Sequence, residues 1–146
     1  MEQKDIPVRV QTATEMRAFA ETYTRQRAVK HLEEGKVVLF AGGTGCPYFS
    51  TDTAAVLRAC EIGADAILLA KNIDGVYSAD PRVDENAVKF DSITYDEVLA
   101  RHLAVMDSTA TSLAMDNHLP VFVFALSEPE NILRAVTGQA VGTLVE

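Results

Sequence analysis

The sequence predicts an α/β fold built on a largely parallel sheet. Three observations carry this. Apolar runs of strand length recur at residues 37–40, 66–70 and 121–124, stretches with helical periodicity separate them, and stop or cap residues such as Gly35, Gly63 and Thr94 punctuate those stretches.

In chain order, residues 7–11 read as the first strand. Residues 14 to 34 read as a helix in which Met16, Phe19, Ala20, Tyr23, Ala28 and Leu32 share one face that covers the sheet, with Gly35 as its stop. The run Val37-Val38-Leu39-Phe40 suits a strand buried on both faces, and a glycine-rich loop follows it. A helix over residues 51–62, carrying Ala54, Ala55, Leu57, Arg58 and Ala59, ends at Gly63 and leads to the strand at 66–70. Residues 71–93 form the longest irregular stretch, rich in Asp, Asn, Gly and Pro; a loop of that length inside a compact domain is usually either functional or disordered. Thr94-Tyr95-Asp96-Glu97 has capping-box form and starts a helix with Val98 and Leu99, and residues 107–117 read as another. A buried strand at 121–124, a second capping box at Ser127-Glu128-Pro129-Glu130 and a short strand at 141–145 complete the chain. No internal repeat occurs.

A length of 146 residues with 48% hydrophobic and 23% charged residues fits one domain, and no apolar run approaches the roughly 18 residues of a membrane span. Thirteen Lys and Arg against 21 Asp and Glu leave a net charge of -8, which argues against nonspecific binding to nucleic acid or anionic lipid. A small anion is still compatible with that charge, because backbone N–H groups at a helix start can hold one locally. Cys46 and Cys60 are too few for a zinc motif or a disulfide framework, and the first residues lack the form of a signal peptide, so a reducing cytoplasm is the expected location.

The most informative segment is Gly42-Gly43-Thr44-Gly45-Cys46-Pro47-Tyr48-Phe49-Ser50-Thr51-Asp52-Thr53, a loop that leaves the carboxyl end of a strand and enters a helix. Ligands of open α/β sheets bind at that end. Three glycines allow close backbone approach, four hydroxyls lie nearby, and the N–H groups around residues 51–54 are expected to face a phosphate. The alternative is a tight turn with an ordinary N-cap at Thr51 or Asp52, because the loop matches neither a Walker A pattern nor GxGxxG. Tyr48 and Phe49 either stack on a base or fold back into the core.

The second segment, Lys71-Asn72-Ile73-Asp74-Gly75-Val76-Tyr77-Ser78-Ala79-Asp80-Pro81-Arg82, also follows the carboxyl end of a strand. It reads either as a surface excursion with turns at Asp74-Gly75 and Asp80-Pro81 or as a nucleotide loop, with Tyr77 and Asp80 at base or sugar and Lys71 or Asn72 donating nearby. His31, His102 and His118 lack ligand spacing and read as surface or capping residues, and no residue is assigned to a metal. Cys46 has no evident activating base.

At these two loops the sequence resembles bacterial uridylate (UMP) kinases. The segment from Gly43 through Ser50-Thr51-Asp52-Thr53-Ala54-Ala55 is similar to that family's UMP-binding segment, and Asp74-Gly75-Val76-Tyr77-Ser78-Ala79-Asp80-Pro81 to its ATP-binding loop. The likeness extends through Pro7-Val8-Arg9-Val10-Gln11-Thr12-Ala13, Val105-Met106-Asp107 and Leu119-Pro120-Val121 to Gly142-Thr143-Leu144. It implies the amino-acid-kinase fold, an α/β/α sandwich, with residues 1–146 forming the C-terminal portion of a single domain whose N-terminal part is absent. The implied activity is transfer of the γ-phosphoryl of ATP, carried with Mg²⁺, to UMP in pyrimidine nucleotide biosynthesis. A hexamer and regulation by UTP and GTP are implied with it.

Carried over residue by residue, the UMP site is Thr44, Gly45, Cys46, Pro47, Tyr48, Phe49, Ser50 and Thr51. Asp52 is the acidic residue at the phosphoryl-transfer site, and Tyr77 and Asp80 contact ATP together with Lys71 or Asn72. Cys46 stands where the family usually has Asn, and Ser50 where Thr is common. Family members begin with a Lys-Leu-Ser-Gly-type phosphate loop and a Gly-Gly-Gly-Asn segment that this sequence lacks. Phosphoryl transfer depends on cations around anionic oxygens, yet no Lys or Arg lies between Ala41 and Thr53, and Lys71 with Arg82 makes a poor clamp. The expectation is therefore a chain with parts of the UMP and ATP sites and little or no kinase activity alone. A non-catalytic UMP- or UTP-binding or oligomer-assembly module is the alternative.

Overall fold

The structure, a computed structural model, describes residues 1–146 apart from the side chain of Glu2. Strands β1 (Val8–Thr12), β2 (Glu21–Thr22), β3 (Val37–Ala41), β4 (Ile67–Lys71), β5 (Ser92–Ile93), β6 (Val121–Ala125) and β7 (Gly142–Val145) alternate with helices α1 (Arg25–Glu33), α2 (Thr51–Ile62), α3 (Tyr95–Ala100), α4 (Ser108–Asp116) and α5 (Glu130–Val136). The chain divides into two compact units, Met1–Gly63 and Ala64–Glu146, each with its own sheet. Among the described residues no helix is long and apolar enough to cross a membrane.

In the first unit, β1 pairs in parallel with both β2 and β3, giving the order β2-β1-β3. Helix α1 is capped by the Thr24 hydroxyl, which accepts the N–H of Arg27. Helix α2 has its predicted bounds: the Ser50 hydroxyl accepts the N–H of Thr53 at 3.1 Å, and Gly63 closes the helix at φ 68°. A glycine tolerates that left-handed conformation without the penalty a Cβ brings. Ala28 and Val56 are fully buried between these elements.

Two expectations fail in this unit. Residues 14–34 do not form one helix: helical structure starts only at Arg25, Glu21–Thr22 pairs with Gln11 and Thr12, and Tyr23 donates its N–H to the Thr12 carbonyl. The proposed apolar face dissolves with it, since Phe19 is 84% and Met16 47% exposed. The reason lies in residues 22–24, two threonines and a tyrosine with weak helix and good strand propensity, of which Thr24 is also a strong N-cap. Nor is β3 buried on both faces. Leu39 and its register partner Val10 are 45% and 40% exposed, because α1 covers one side of an edge strand and leaves the other open.

In the second unit the order is β4-β6-β7-β5, parallel between β4 and β6 and between β5 and β7, antiparallel between β6 and β7. The sheets are thus mostly parallel, and the α/β class predicted by sequence holds. Val121, Val123, Phe124 and Val145 form the buried centre of this sheet, and the hydroxyl of the buried Tyr95 donates to the Leu119 carbonyl at 2.6 Å. The capping box at Thr94 forms, its hydroxyl accepting the Glu97 N–H at 3.2 Å, and Asp107 caps α4 through the Ala110 N–H at 3.0 Å. The second predicted box does not form. Helix α5 starts at Glu130 behind Pro129 with no side-chain cap, because the N–H groups of Asn131 and Ile132 turn back to the carbonyls of Glu128 and Pro129.

Candidate functional site

The glycine-rich loop carries φ values of 81°, 62° and 77° at Gly42, Gly43 and Gly45, and Tyr48 adopts 69° without being glycine. Such a conformation is rare for a bulky residue. Gly45 also lies close to its neighbour: a Cβ there would sit 3.3 Å from both the Cβ and the carbonyl oxygen of Ala13, which would have to give by a few tenths of an ångström. The loop therefore lies close over the end of β1. Tyr48 is fully exposed and Phe49 53% exposed, so neither ring folds back into the core.

Along the predicted UMP segment, Thr44 is half-buried and Gly45, Cys46, Pro47, Tyr48, Phe49, Ser50 and Thr51 are exposed. Thr51 and Asp52 lie in the first turn of α2, and the N-cap is Ser50 rather than either of them. The donor set is smaller than expected. Ser50 takes the N–H of Thr53 with its hydroxyl and that of Ala54 with its carbonyl, so two of the four N–H groups at residues 51–54 already serve the helix's own cap. The Thr44 hydroxyl accepts from Cys46 N at 3.1 Å and closes a local turn. Cationic groups near α2 are engaged elsewhere: Arg58 is buried, pairs with Glu61 at 2.6 Å and lies 3.8 Å over the Tyr23 ring. Burial raises the Glu61 carboxyl, but hydrogen bonds from Tyr23 and Arg58 outweigh that and hold it below its ordinary value.

The second loop is more ordered than its composition suggests. Ser78 donates to the Val88 carbonyl, Phe90 to the Val76 carbonyl, and Tyr77 bridges Lys89, so residues 76–78 and 88–90 form a narrow antiparallel ladder. Thr143, fully buried on β7, anchors it by accepting the Val76 N–H at 2.9 Å and donating to the Phe90 carbonyl at 2.5 Å. The Tyr77 hydroxyl and the Lys89 ammonium both donate to Asp74, at 2.9 and 3.0 Å. Burial raises the Asp74 carboxyl, and these two donors more than reverse it; the hydrogen bond to Asp74, followed by burial, raises the Tyr77 phenol. Asp80 accepts the backbone N–H of Arg82 at 2.9 Å, which fixes the Asp80-Pro81 turn.

This ladder forms one wall of a cleft of about 520 Å³, the size of a small-ligand site. Tyr77 and Asp80, predicted to contact ATP, line it together with Lys71 and Asn72, the two alternatives for the remaining contact. So do Arg82, Arg101 and His102, with apolar surface from Ile73, Val76 and Leu103. Sequence reading missed Arg101 and His102, which reach the cleft because α3 ends beside it. An open depression of about 780 Å³ in the first unit, lined by Glu15, Arg17, Phe19, Glu21 and Arg27, holds none of the predicted residues. Its charges pair among themselves, Arg17 with Glu15 and Arg27 with Glu21, leaving little to recognise a ligand.

The histidines take structural places. His102 and His118, at φ 51°, occupy the residue after the C-cap in α3 and α4, where the following N–H groups of Leu103 and Leu119 return to the carbonyls of Val98 and Ala114. His31 stands 3.0 Å from Glu21. Among the described residues no cluster of His, Cys, Asp and Glu could hold a metal ion.

This geometry has counterparts in known proteins. A uridylate kinase of Limosilactobacillus reuteri is 58% identical over 100% of this chain, which covers 61% of that protein. The chain thus spans about three fifths of that relative's length. A solved UMP kinase from Bacillus anthracis is 41% identical, with a TM-score of 0.95 over 99% of this chain and 60% of its own. One from Ureaplasma parvum is 32% identical, with a TM-score of 0.94 over 99% of this chain and 62% of its own. Residues 1–125 match the model of the amino acid kinase family. On that match, and on folds this similar to solved UMP kinases, the chain belongs to the amino acid kinase family.

Proposed function

We propose that this chain supplies nucleotide-binding parts of a UMP kinase, an enzyme of pyrimidine nucleotide biosynthesis that transfers the γ-phosphoryl of ATP to UMP. A phosphate oxygen of UMP forms the new bond to the γ-phosphorus, the bond to the β,γ-bridging oxygen breaks, and UDP and ADP result. One observation carries the reading: the fold gathers Lys71, Asn72, Tyr77 and Asp80 around one cleft. The relatives named uridylate kinase support the substrate assignment.

In this reading the cleft holds ATP. Tyr77 offers a ring and Asp80 a carboxylate to base or ribose, while Lys71 or Asn72 donates to the nucleotide. The loop from Thr44 to Thr51 receives UMP, Tyr48 and Phe49 offering exposed faces to the uracil. Asp52 orients cationic groups where the phosphoryl moves, and Mg²⁺ arrives with the nucleotide. Both units count as one amino-acid-kinase domain, in a cytoplasmic hexamer regulated by UTP and GTP.

The chain by itself has little or no turnover in this account. The first Lys or Arg after Ala41 is Arg58, already held by Glu61, so the UMP loop lacks the charge a phosphoryl-transfer site requires. That same observation favours a second reading, a UMP- or UTP-binding or assembly module without catalysis. Calorimetric titration with UMP, UTP and ATP, beside a coupled assay with UMP, ATP and Mg²⁺, separates the two. Binding of both UMP and ATP without turnover is expected; UTP binding without ATP binding favours the second reading, and failure to bind any nucleotide overturns both.

A further inference from the structure

Most arginines of this chain are engaged. Arg17, Arg27, Arg58 and Arg134 pair with carboxylates, and Arg9 and Arg25 donate to backbone carbonyls. The guanidinium groups of Arg82 and Arg101 have no carboxylate or carbonyl partner among the described residues, and both residues line the cleft of the second unit. In a chain of net charge -8, two unneutralised guanidinium groups in one cleft mark a place for an anion.

The nearby carboxylates do not fill that place. Asp80 accepts from the Arg82 backbone, and Asp74 accepts from Lys89 and Tyr77. The Arg101 guanidinium carbon sits 5.1 Å from the centroid of the Phe90 ring. Phe90 is tied in turn to Val76 and Thr143, so the ring gives a flexible side chain a fixed resting surface. A guanidinium supported on one face still presents its N–H edges, the geometry that matches phosphate oxygens two at a time.

We propose that Arg101 contacts the phosphate groups of the nucleotide in this cleft and sets a preference for nucleoside triphosphates over monophosphates. The proposal rests on the reading of the cleft as the ATP site. Calorimetric titration of the whole chain with ATP, AMP and inorganic tripolyphosphate tests it, using wild type, Arg101→Gln and Arg101→Lys. Arg101 is exposed, and its side chain makes no hydrogen bond while its backbone N–H, which the substitutions leave in place, caps α3 through the Glu97 carbonyl, so both variants are expected to keep the wild-type melting temperature.

The expected result is an ATP affinity at least about tenfold weaker in Arg101→Gln, the size of a lost charge-assisted hydrogen bond, with AMP affinity unchanged. Arg101→Lys, which keeps the cation but not the fork, recovers part of the loss. An ATP-to-AMP ratio in Arg101→Gln equal to that of wild type overturns the proposal. If wild type binds tripolyphosphate as tightly as ATP and Arg101→Gln loses both, the phosphate contact stands and the nucleotide reading fails. Failure of wild type to bind either ATP or tripolyphosphate overturns both.

Discussion

The hydroxyl of Tyr77 donates a 2.9 Å hydrogen bond to Oδ1 of Asp74, whose other oxygen receives Lys89 at 3.0 Å. These contacts hold the base of the cleft wall and give it a pH window. The Asp74 carboxyl is lowered, so its contribution to stability is present above the unfolded value near pH 4 and is lost as pH falls through the lower folded value. The Tyr77 phenol is raised, so its contribution is present below about pH 10 and is lost as pH climbs through the higher folded value. Exchange protection of the Ser78 and Phe90 amides should persist across that window and fade at both ends. In Asp74→Asn the Tyr77 phenol, followed by ultraviolet absorbance against Tyr77→Phe, should titrate closer to 10; an unmoved titration contradicts the arrangement.

Gly142 and Gly35 should answer differently to alanine. A Cβ at Gly142 would lie 2.0 Å from the Val123 carbonyl oxygen, which belongs to the paired strand β6 and cannot give way. Gly142→Ala is expected to cost about 3 kcal/mol or more, or to prevent folding. Gly35 has nothing within 4 Å of its would-be Cβ, and only its φ of 74° opposes a side chain, so Gly35→Ala should cost about 1 kcal/mol. Urea unfolding of the two variants gives the comparison, and equal losses would contradict the close approach of β7 to β6.

His118 sits in the left-handed region at φ 51° after the C-cap of α4, where glycine is the favoured residue. His118→Gly should therefore stabilise the chain by about 0.5–1 kcal/mol. A lower melting temperature in this variant would show that the imidazole contributes more than its backbone conformation costs.

How much of this was readable in the sequence depends on how local the cause is. Helix α2 appears with its predicted bounds because Ser50 and Gly63 act on their own neighbours. The helix expected over residues 14–34 fails because pairing of Glu21–Thr22 with β1 is a tertiary event, and the apolar spacing of Met16, Phe19 and Tyr23 mimics a helical face that never forms. The site divides the same way. Lys71, Asn72, Tyr77 and Asp80 stand in one continuous segment and were recognisable as a set, whereas Arg101 and His102 come to the cleft only through folding. Nothing in their local pattern marks them.

The capping role of Ser50 can be separated from the role proposed for it in the UMP site. Its hydroxyl caps α2, and Ser50→Ala should cost about 1 kcal/mol by chemical denaturation. Ser50→Asp keeps a capping oxygen and should retain stability, while its charge repels a phosphate over the same helix start. UMP binding is therefore expected to fall in Ser50→Asp without loss of melting temperature. Unchanged UMP affinity in that variant would remove the loop from the UMP site.

The central claim, that the cleft of the second unit receives ATP, is tested most directly by following backbone amide resonances of the whole chain during an ATP titration. Saturable shifts are expected at residues 71–82 and 101–104, the segments that line the cleft. Shifts confined to other segments, or none at millimolar ATP, would contradict it.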